Sequence, residues 1–393
     1  MITEVLCSQL WNSHQNDLHT NGLVEHSDKV CFDEFKEILD VSHTFVDISQ
    51  ISIPNIKGNA PHIKICNKIY SNLQSLFDAN KPKSIVISIS GGVDSMLLSL
   101  IMSQYCKQMQ ISLSMLHINY NNRDCCDKEV KFLVWWSNVI NCKLYVKSFD
   151  IVRSRNSKER VLYENITRRI RYSIYKYLNS PILLGHNIDD CYENMFSNLS
   201  KRIHFDNLFG MSKYTIESDI PIVRPMLDIT KEQILTLAHT IGIPYLEDST
   251  PAWSNRGKMR DVLIPQISQF NPQILTGLAD FATYTSKLEK QWNHLFHSWK
   301  DKNVKNSIDD VKQTVTITKS DEFYLMNYDN LNFWIKIWFE YKLPTRPSNK
   351  SFDSMINFLQ MNRYTVRFVL NNKSNVYNNS EKEMTIIVYS NSS

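Results

Sequence analysis

Along this chain, apolar residues fall into two alternating patterns. Residues 84–90 (SIVISIS) form a short, nearly continuous apolar run that reads as a strand, and 95–106 carry a denser apolar segment that reads as a helix. The pairing then repeats: strand 111–118, helix 127–140, strand 143–148, helix 159–178, strand 182–185, helix 188–199. Such alternation predicts an α/β fold built on a doubly wound parallel sheet. Ligands on such sheets bind beyond the carboxyl ends of the strands.

Downstream, the pattern predicts a helix at 230–241, a polar loop at 247–258 and a long helical segment at 271–300. A smaller α+β region follows, with helices at 330–341 and 350–360 and strands at 364–370 and 384–389. Upstream, residues 1–80 show little beyond an apolar run at 45–53 and a helical pattern at 63–77, before Lys81-Pro82-Lys83 punctuates the chain. The expected organisation is therefore an extension at 1–80, an α/β domain at 81–270, a bridging helix at 271–300 and a C-terminal domain at 301–393.

Composition narrows the class. A chain of 393 residues is long for a single core. With 42% apolar and 21% charged residues it reads as globular, not disordered. The net charge of +4 is too small to demand a nucleic-acid partner, but no Arg precedes Arg123 and eleven Arg lie from Arg123 to Arg260. Guanidinium groups concentrated in this way can hold phosphates, or can simply line solvated helix faces. The eight Cys include no C-x-x-C pair, and Cys125 and Cys126 are adjacent, so a reducing compartment is expected. No apolar run approaches the roughly 20 residues of a membrane span. The first residues lack the features of a secretory or transit peptide, so the expected location is the cytoplasm, with no membrane partner.

The densest chemistry follows the first strand, at Ser90-Gly91-Gly92-Val93-Asp94-Ser95. Only nine Gly occur in the chain, and two of them are adjacent here. Glycine permits positive φ and close backbone approach, and the next helix points its free N–H groups at the turn. Two hydroxyls complete a cradle for a multiply charged anion. Asp94 is out of place among anion-binding groups unless a cation such as Mg²⁺ bridges it to phosphate. The segment resembles the SGGxDS signature of the PP-loop ATP pyrophosphatases, which cleave ATP to AMP and pyrophosphate.

Further segments resemble one branch of that superfamily, the tRNA(Ile)-lysidine synthetases. His117, Asn119 and Arg123 match the family's HxNHGLR segment, while Tyr120, Asn121 and Asn122 depart from it. Glu164, Arg168, Arg171 and Tyr172 follow its E-x-x-x-R-x-x-R-Y order. Residues from His186 through Asp189, Asp190 and Glu193 are similar to HHxDDQxET, with departures at Asn187, Cys191 and Asn194. Last come Phe209-Gly210-Met211, Arg224-Pro225-Met226-Leu227, Asp248-Ser249-Thr250 and Arg256 to Pro265, where Thr250 and Pro251 stand in place of the family's Ser and Asn and Gly257 in place of the usual Asn.

The resemblance implies ATP and Mg²⁺ as cofactors, with Asp94 on the metal. It implies nucleotide binding by Ser90, Gly91, Gly92, Val93, Asp94, Ser95, His117, Asn119, Arg171 and His186. Catalytic roles would fall to Asp94, Asp190, Glu193, Arg168 and Arg260, with Asp190 and Glu193 on the ammonium of free L-lysine and Arg256 beside Arg260. The implied partner is tRNA(Ile) with a CAU anticodon, whose wobble cytidine is adenylated and then substituted by lysine. A homodimer is compatible with this. Three other readings fit the same loop: a tRNA thiolase, an amidating ligase acting on a small molecule, and an RNA-binding relative without catalysis.

Overall fold

The computed structural model describes residues 23–26, 34, 61–77, 81–121, 125–149, 157–201, 208–246, 254–325, 331–343, 346–361 and 363–389. The apolar run at 45–53, Arg123 and the segment 248–251 lie outside them. The chain divides after Ala282 into two compact units.

The first unit is built on a seven-stranded sheet in the order β1-β4-β3-β2-β5-β7-β6. Its strands are β1 (Leu23–His26), β2 (Ser84–Ser88), β3 (Ser112–Asn119), β4 (Lys143–Ser148), β5 (Ile182–Leu183), β6 (Tyr214–Glu217) and β7 (Ile220–Val223). The pairs β4-β3, β3-β2, β2-β5 and β5-β7 are parallel, and an antiparallel strand closes each edge. In β2, Ile85 and Ile87 enter the core on one face while Val86 enters the core on the other. That two-sided burial is why the strand reads as an unbroken apolar run. Helices α2 (Val93–Met109) and α3 (Cys126–Val139) contribute to the first core, and α4 (Ser157–Leu178) to the second through Ile166, Ile170 and Ile174. The chain winds outward from β2 to β3 and β4, then returns to add β5 and β7 on the other side. The switch point therefore lies between β2 and β5, and their carboxyl ends mark the expected ligand crevice.

Helix α1 (Pro61–Phe77), assigned to the extension on sequence alone, packs into the first core through Ile65, Ile69, Leu73 and Phe77. Its buried Asn72 donates to the Pro225 carbonyl at 2.8 Å and to Asp228 at 2.9 Å, and accepts from Lys213 at 2.7 Å. The helix thus belongs to the α/β unit and fixes the loop that follows β7. Two further departures stand out. The hairpin β6-β7 was not expected, and within the expected loop 247–258 residues Asn255–Lys258 are helical (α7), leading through a π-helical turn at Met259–Leu263 into α8 (Ile264–Phe270).

The second unit has its own core. A five-stranded antiparallel sheet, β10 (Val366–Asn371), β11 (Ser374–Asn378), β12 (Glu383–Tyr389), β9 (Lys312–Thr318) and β8 (Val304–Ile308), runs in that order. Its buried residues join Phe296, Trp299, Phe323, Phe333, Trp334, Trp338 and Phe352 in one aromatic-rich cluster. No described helix is long and apolar enough to cross a membrane.

Candidate active site

The turn after β2 has a specific geometry. Gly91 adopts φ +83°, and a Cβ there would lie 2.4 Å from Leu246 Cδ1. Its carbonyl accepts the Leu246 N–H at 2.9 Å, so this glycine seats the loop on the protein. Gly92 differs, because a Cβ there would meet only the Ser90 hydroxyl at 3.6 Å. Gly92 is also the cap residue of α2 with no side-chain partner, leaving the helix N-terminus open to an anion. Ser95 ties the turn together: its Oγ donates to the Gly92 carbonyl at 3.0 Å and accepts from the Ser90 N–H at 3.2 Å. Across the switch point, a Cβ on Gly185 would stand 3.0–3.2 Å from Asp94 and Ser95 backbone and side-chain atoms. The two strand ends therefore touch.

Asn187 links this turn to an acidic helix. It caps α5 (Ile188–Lys201), its Oδ1 accepting the N–H groups of Asp189 at 2.9 Å and Asp190 at 3.3 Å. Asp190 returns the bond by accepting the Asn187 N–H at 3.0 Å. Asn187 Nδ2 donates to Asp94 Oδ1 at 2.9 Å, and Lys231 Nζ lies 2.5 Å from Asp94 Oδ2. One turn into α5, Glu193 is 5% exposed and carries two arginines: Arg260 Nε at 3.0 Å and Arg256, which also bonds Asp190. Ser254 caps the helix that presents Arg256, and the following π-helical turn carries Arg260 to the same carboxylate. A continuous chain of contacts thus runs Asp94, Asn187, Asp190, Arg256, Glu193, Arg260.

A family profile described as a PP-loop domain matches residues 65–267, just over half of the chain. The chain belongs to the PP-loop family. Among curated proteins it is 26% identical over 207 residues to the tRNA(Ile)-lysidine synthase of Enterococcus faecalis, covering 51% of this chain and 44% of that one. The enzyme of the same name from Streptococcus agalactiae is 25% identical over 257 residues, covering 65% and 56%. That of Chlamydia muridarum is 27% identical over 197 residues, covering 48% and 59%. The chain spans about half the length of these relatives. A solved U34-tRNA thiolase from Methanococcus maripaludis is similar with TM-score 0.47 and 16% identity, over 57% of this chain and 78% of that one.

Within the PP-loop unit, the expected site residues separate into groups. Ser90, Gly91, Gly92, Val93, Asp94 and Ser95 form the loop itself, and Asp190, Glu193, Arg256 and Arg260 gather one contact network away. His117 and Asn119 brace the neighbouring strand end: His117 Nδ1 donates to the Ile89 carbonyl at 3.0 Å, and Asn119 Oδ1 accepts the Asn121 N–H at 2.9 Å. Arg168 does not join the acids. It bonds Glu217 at 3.2 Å and stacks on Tyr172, with its side chain 66% exposed. Asp189 also turns elsewhere, accepting the Lys231 backbone N–H at 2.7 Å; burial pushes its carboxyl above the usual aspartate range, against the pull of that N–H.

His186 sits among charges. Its Nδ1 accepts from Arg224 Nε at 3.2 Å, which places the ring proton of the neutral imidazole on Nε2. Burial pushes its pKa below the ordinary 6.5; Asp190 opposes this, and Arg224, Arg256 and Arg171 reinforce it. Arg224, 4% exposed, further donates to the Ser212 carbonyl, to Thr215 and to Glu217 at 2.9–3.1 Å. Burial would raise the Glu217 carboxyl, but hydrogen bonds from Tyr172 and Arg224 outweigh it and hold it below the ordinary range.

Three residues that matter here drew little weight from sequence. Asn187 registered only as a departure from the family pattern, and Glu217 lies on an unexpected hairpin. Lys231 carries one local signal, a cation at a helix N-terminus, where it opposes the dipole. The donor set at Asp94 fits Mg²⁺ delivered with phosphates, since that ion is commonly held by one or two carboxylates plus substrate oxygens. Among the described residues, no group of three or more His, Cys, Asp or Glu is arranged to hold a metal alone.

Proposed function

We propose that this chain is an ATP-dependent tRNA-modifying ligase that installs lysine on the wobble cytidine of tRNA(Ile). The observation that carries the reading is the join through Asn187 of an anion cradle to an acid pair, half-buried Asp190 and buried Glu193. One half suits the phosphates of ATP and the other suits a cation, as a reaction between a nucleotide and an amine requires. The names of its curated relatives support tRNA as the substrate.

In this reading, the open helix end at Gly92, with Ser90 and Ser95, receives the phosphates. Asp94 would hold Mg²⁺, which would supply neutralisation of phosphate charge. The cytidine C2 oxygen attacks the α-phosphorus, and the electron pair of the broken bond leaves with pyrophosphate. Asp190 and Glu193 hold the lysine ammonium, which takes the place of the Arg256 guanidinium on the same oxygens. The ε-amine, having lost a proton, attacks C2, and AMP departs with the former carbonyl oxygen. The nearby carboxylates are placed to accept the amine's proton. His186, held neutral with its donor at Nε2, orients a substrate acceptor and does not take up a proton. Arg256, once exchanged from the acids, meets RNA phosphate, while Arg260 stays on Glu193.

Glu193→Gln tests the acid pair. It should weaken lysine binding by about tenfold or more, as expected for losing a hydrogen bond to a charged group, and leave ATP-analogue affinity unchanged. Calorimetric titration of each ligand separates the two, and an unaltered lysine affinity removes the acids from that role.

A further inference from the structure

Lys231 opens the helix α6 (Lys231–Ile241), where free N–H groups and the positive end of the dipole already concentrate positive charge. A cation there does not favour the helix, yet the surroundings fix it in place. Thr230 and Gln233 form a reciprocal capping box around the helix start. Asp189 accepts the Lys231 backbone N–H at 2.7 Å, which ties this helix to the first turn of the acidic one. The side chain then reaches Asp94, in the PP-loop, at 2.5 Å. Both side chains keep partial exposure, 32% for Lys231 and 25% for Asp94, so a ligand can reach the pair.

Taking the ATP-dependent reading above as its basis, we infer that Lys231, reaching the PP-loop from α6, is a catalytic residue that exchanges Asp94 for the phosphates of bound nucleotide. A bare carboxylate beside the cradle would repel a triphosphate, and in the free protein the Lys231 ammonium cancels that charge. With nucleotide in the cradle, Asp94 would be the ligand for the Mg²⁺ that accompanies it, and the Lys231 ammonium, within a side chain's length of the loop, turns from the carboxylate to the phosphate oxygens. As the bond from the α-phosphorus to its bridging oxygen breaks, the electron pair stays on pyrophosphate. Lys231 stabilises that charge by electrostatics, with no proton transfer. Asp189, which holds the Lys231 backbone, is a positioning residue for it.

The experiment compares wild type, Lys231→Gln and Lys231→Arg as full chains, each titrated calorimetrically with Mg²⁺-pyrophosphate, a non-hydrolysable Mg²⁺-ATP analogue and adenosine. Lys231→Gln should weaken pyrophosphate binding by about ten- to hundredfold, the value of one charge-assisted hydrogen bond, with adenosine affinity unchanged. Lys231→Arg should recover most of the loss. In parallel, wild type is treated with an amine-reactive reagent and mapped by peptide mass. Mg²⁺-pyrophosphate should shield Lys231 and adenosine should not, a readout that stands even if Lys231→Gln does not fold. Undiminished pyrophosphate affinity in folded Lys231→Gln, or Lys231 labelled equally with and without Mg²⁺-pyrophosphate, overturns the inference while leaving the ATP reading intact. Wild type that binds no ATP analogue overturns both.

Discussion

Gly91 and Gly92 are neighbours with different jobs. At position 91 both the backbone and the space forbid a side chain, because φ is +83° and Leu246 fills the Cβ direction. Gly91→Ala should cost about 2 kcal/mol or more of stability, from αL strain plus overpacking, measured as a lower denaturant midpoint. A midpoint equal to wild type would mean that the loop relaxes freely. Position 92 has room on its Cβ side, consistent with a surface left for a ligand. Arg224 fixes the tautomer of His186 and adds to the burial that lowers its pKa. Arg224→Met removes a buried cation from Glu217 and the donor from His186 Nδ1, and should destabilise by about 3 kcal/mol. It should also raise the His186 midpoint towards 6.5, followed by NMR titration. In wild type, His186 binds its proton more readily unfolded than folded. Stability from this residue is therefore present above 6.5 and is lost as pH falls through the depressed folded value. Glu217 behaves the same way below its ordinary 4.5. An Arg224→Met protein whose His186 titrates as in wild type would contradict the assignment.

At the scale of elements, β2, β3 and β4 were readable because two-sided burial leaves apolar runs, and α2 to α5 because their lengths carry helical spacing. The hairpin β6-β7 was not. Its strands are four residues each, β6 alternates exposed with half-buried positions, and the turn uses Ser218 and Asp219 at φ 51° and 66° without the usual Asn-Gly signal. Strands β8 and β9 escaped for a related reason, being rich in Lys, Asn and Thr with few buried positions. The loop motif and acid pair were visible as local patterns, but Asn187 and Lys231 acquire meaning only when β5 and α6 are folded against β2. The sequence of α1 shows a helix but not where it packs, because its partners Pro225 and Asp228 lie about 150 residues away. Asn72→Ala should cost about 2 kcal/mol, since it leaves the Pro225 carbonyl without its buried donor and removes one bond each from Lys213 and Asp228, which stay paired with each other. Chemical denaturation checks this, and a change below about 0.5 kcal/mol would show that α1 does not anchor the loop.

At the scale of the molecule, the PP-loop family match falls wholly in the unit ending at Ala282, and every residue of the proposed chemistry lies there. The second unit is stabilised by its own aromatic core. The concentration of arginines in the middle of the sequence takes on a definite form in the first unit. Arg224 holds His186, Arg256 and Arg260 hold the acid pair, and Arg168 lies at the surface on Tyr172 and Glu217. Their roles are therefore distinct, and only some face the site. The most direct test of the proposed chemistry takes the full chain, ATP with Mg²⁺, isotope-labelled lysine and bulk tRNA, followed by digestion to nucleosides and mass analysis. Label should appear on one cytidine derivative, heavier than cytidine by lysine less water, with AMP and pyrophosphate released in equal amount. ATP cleaved to AMP and pyrophosphate while all label stays off cytidine would contradict lysine transfer.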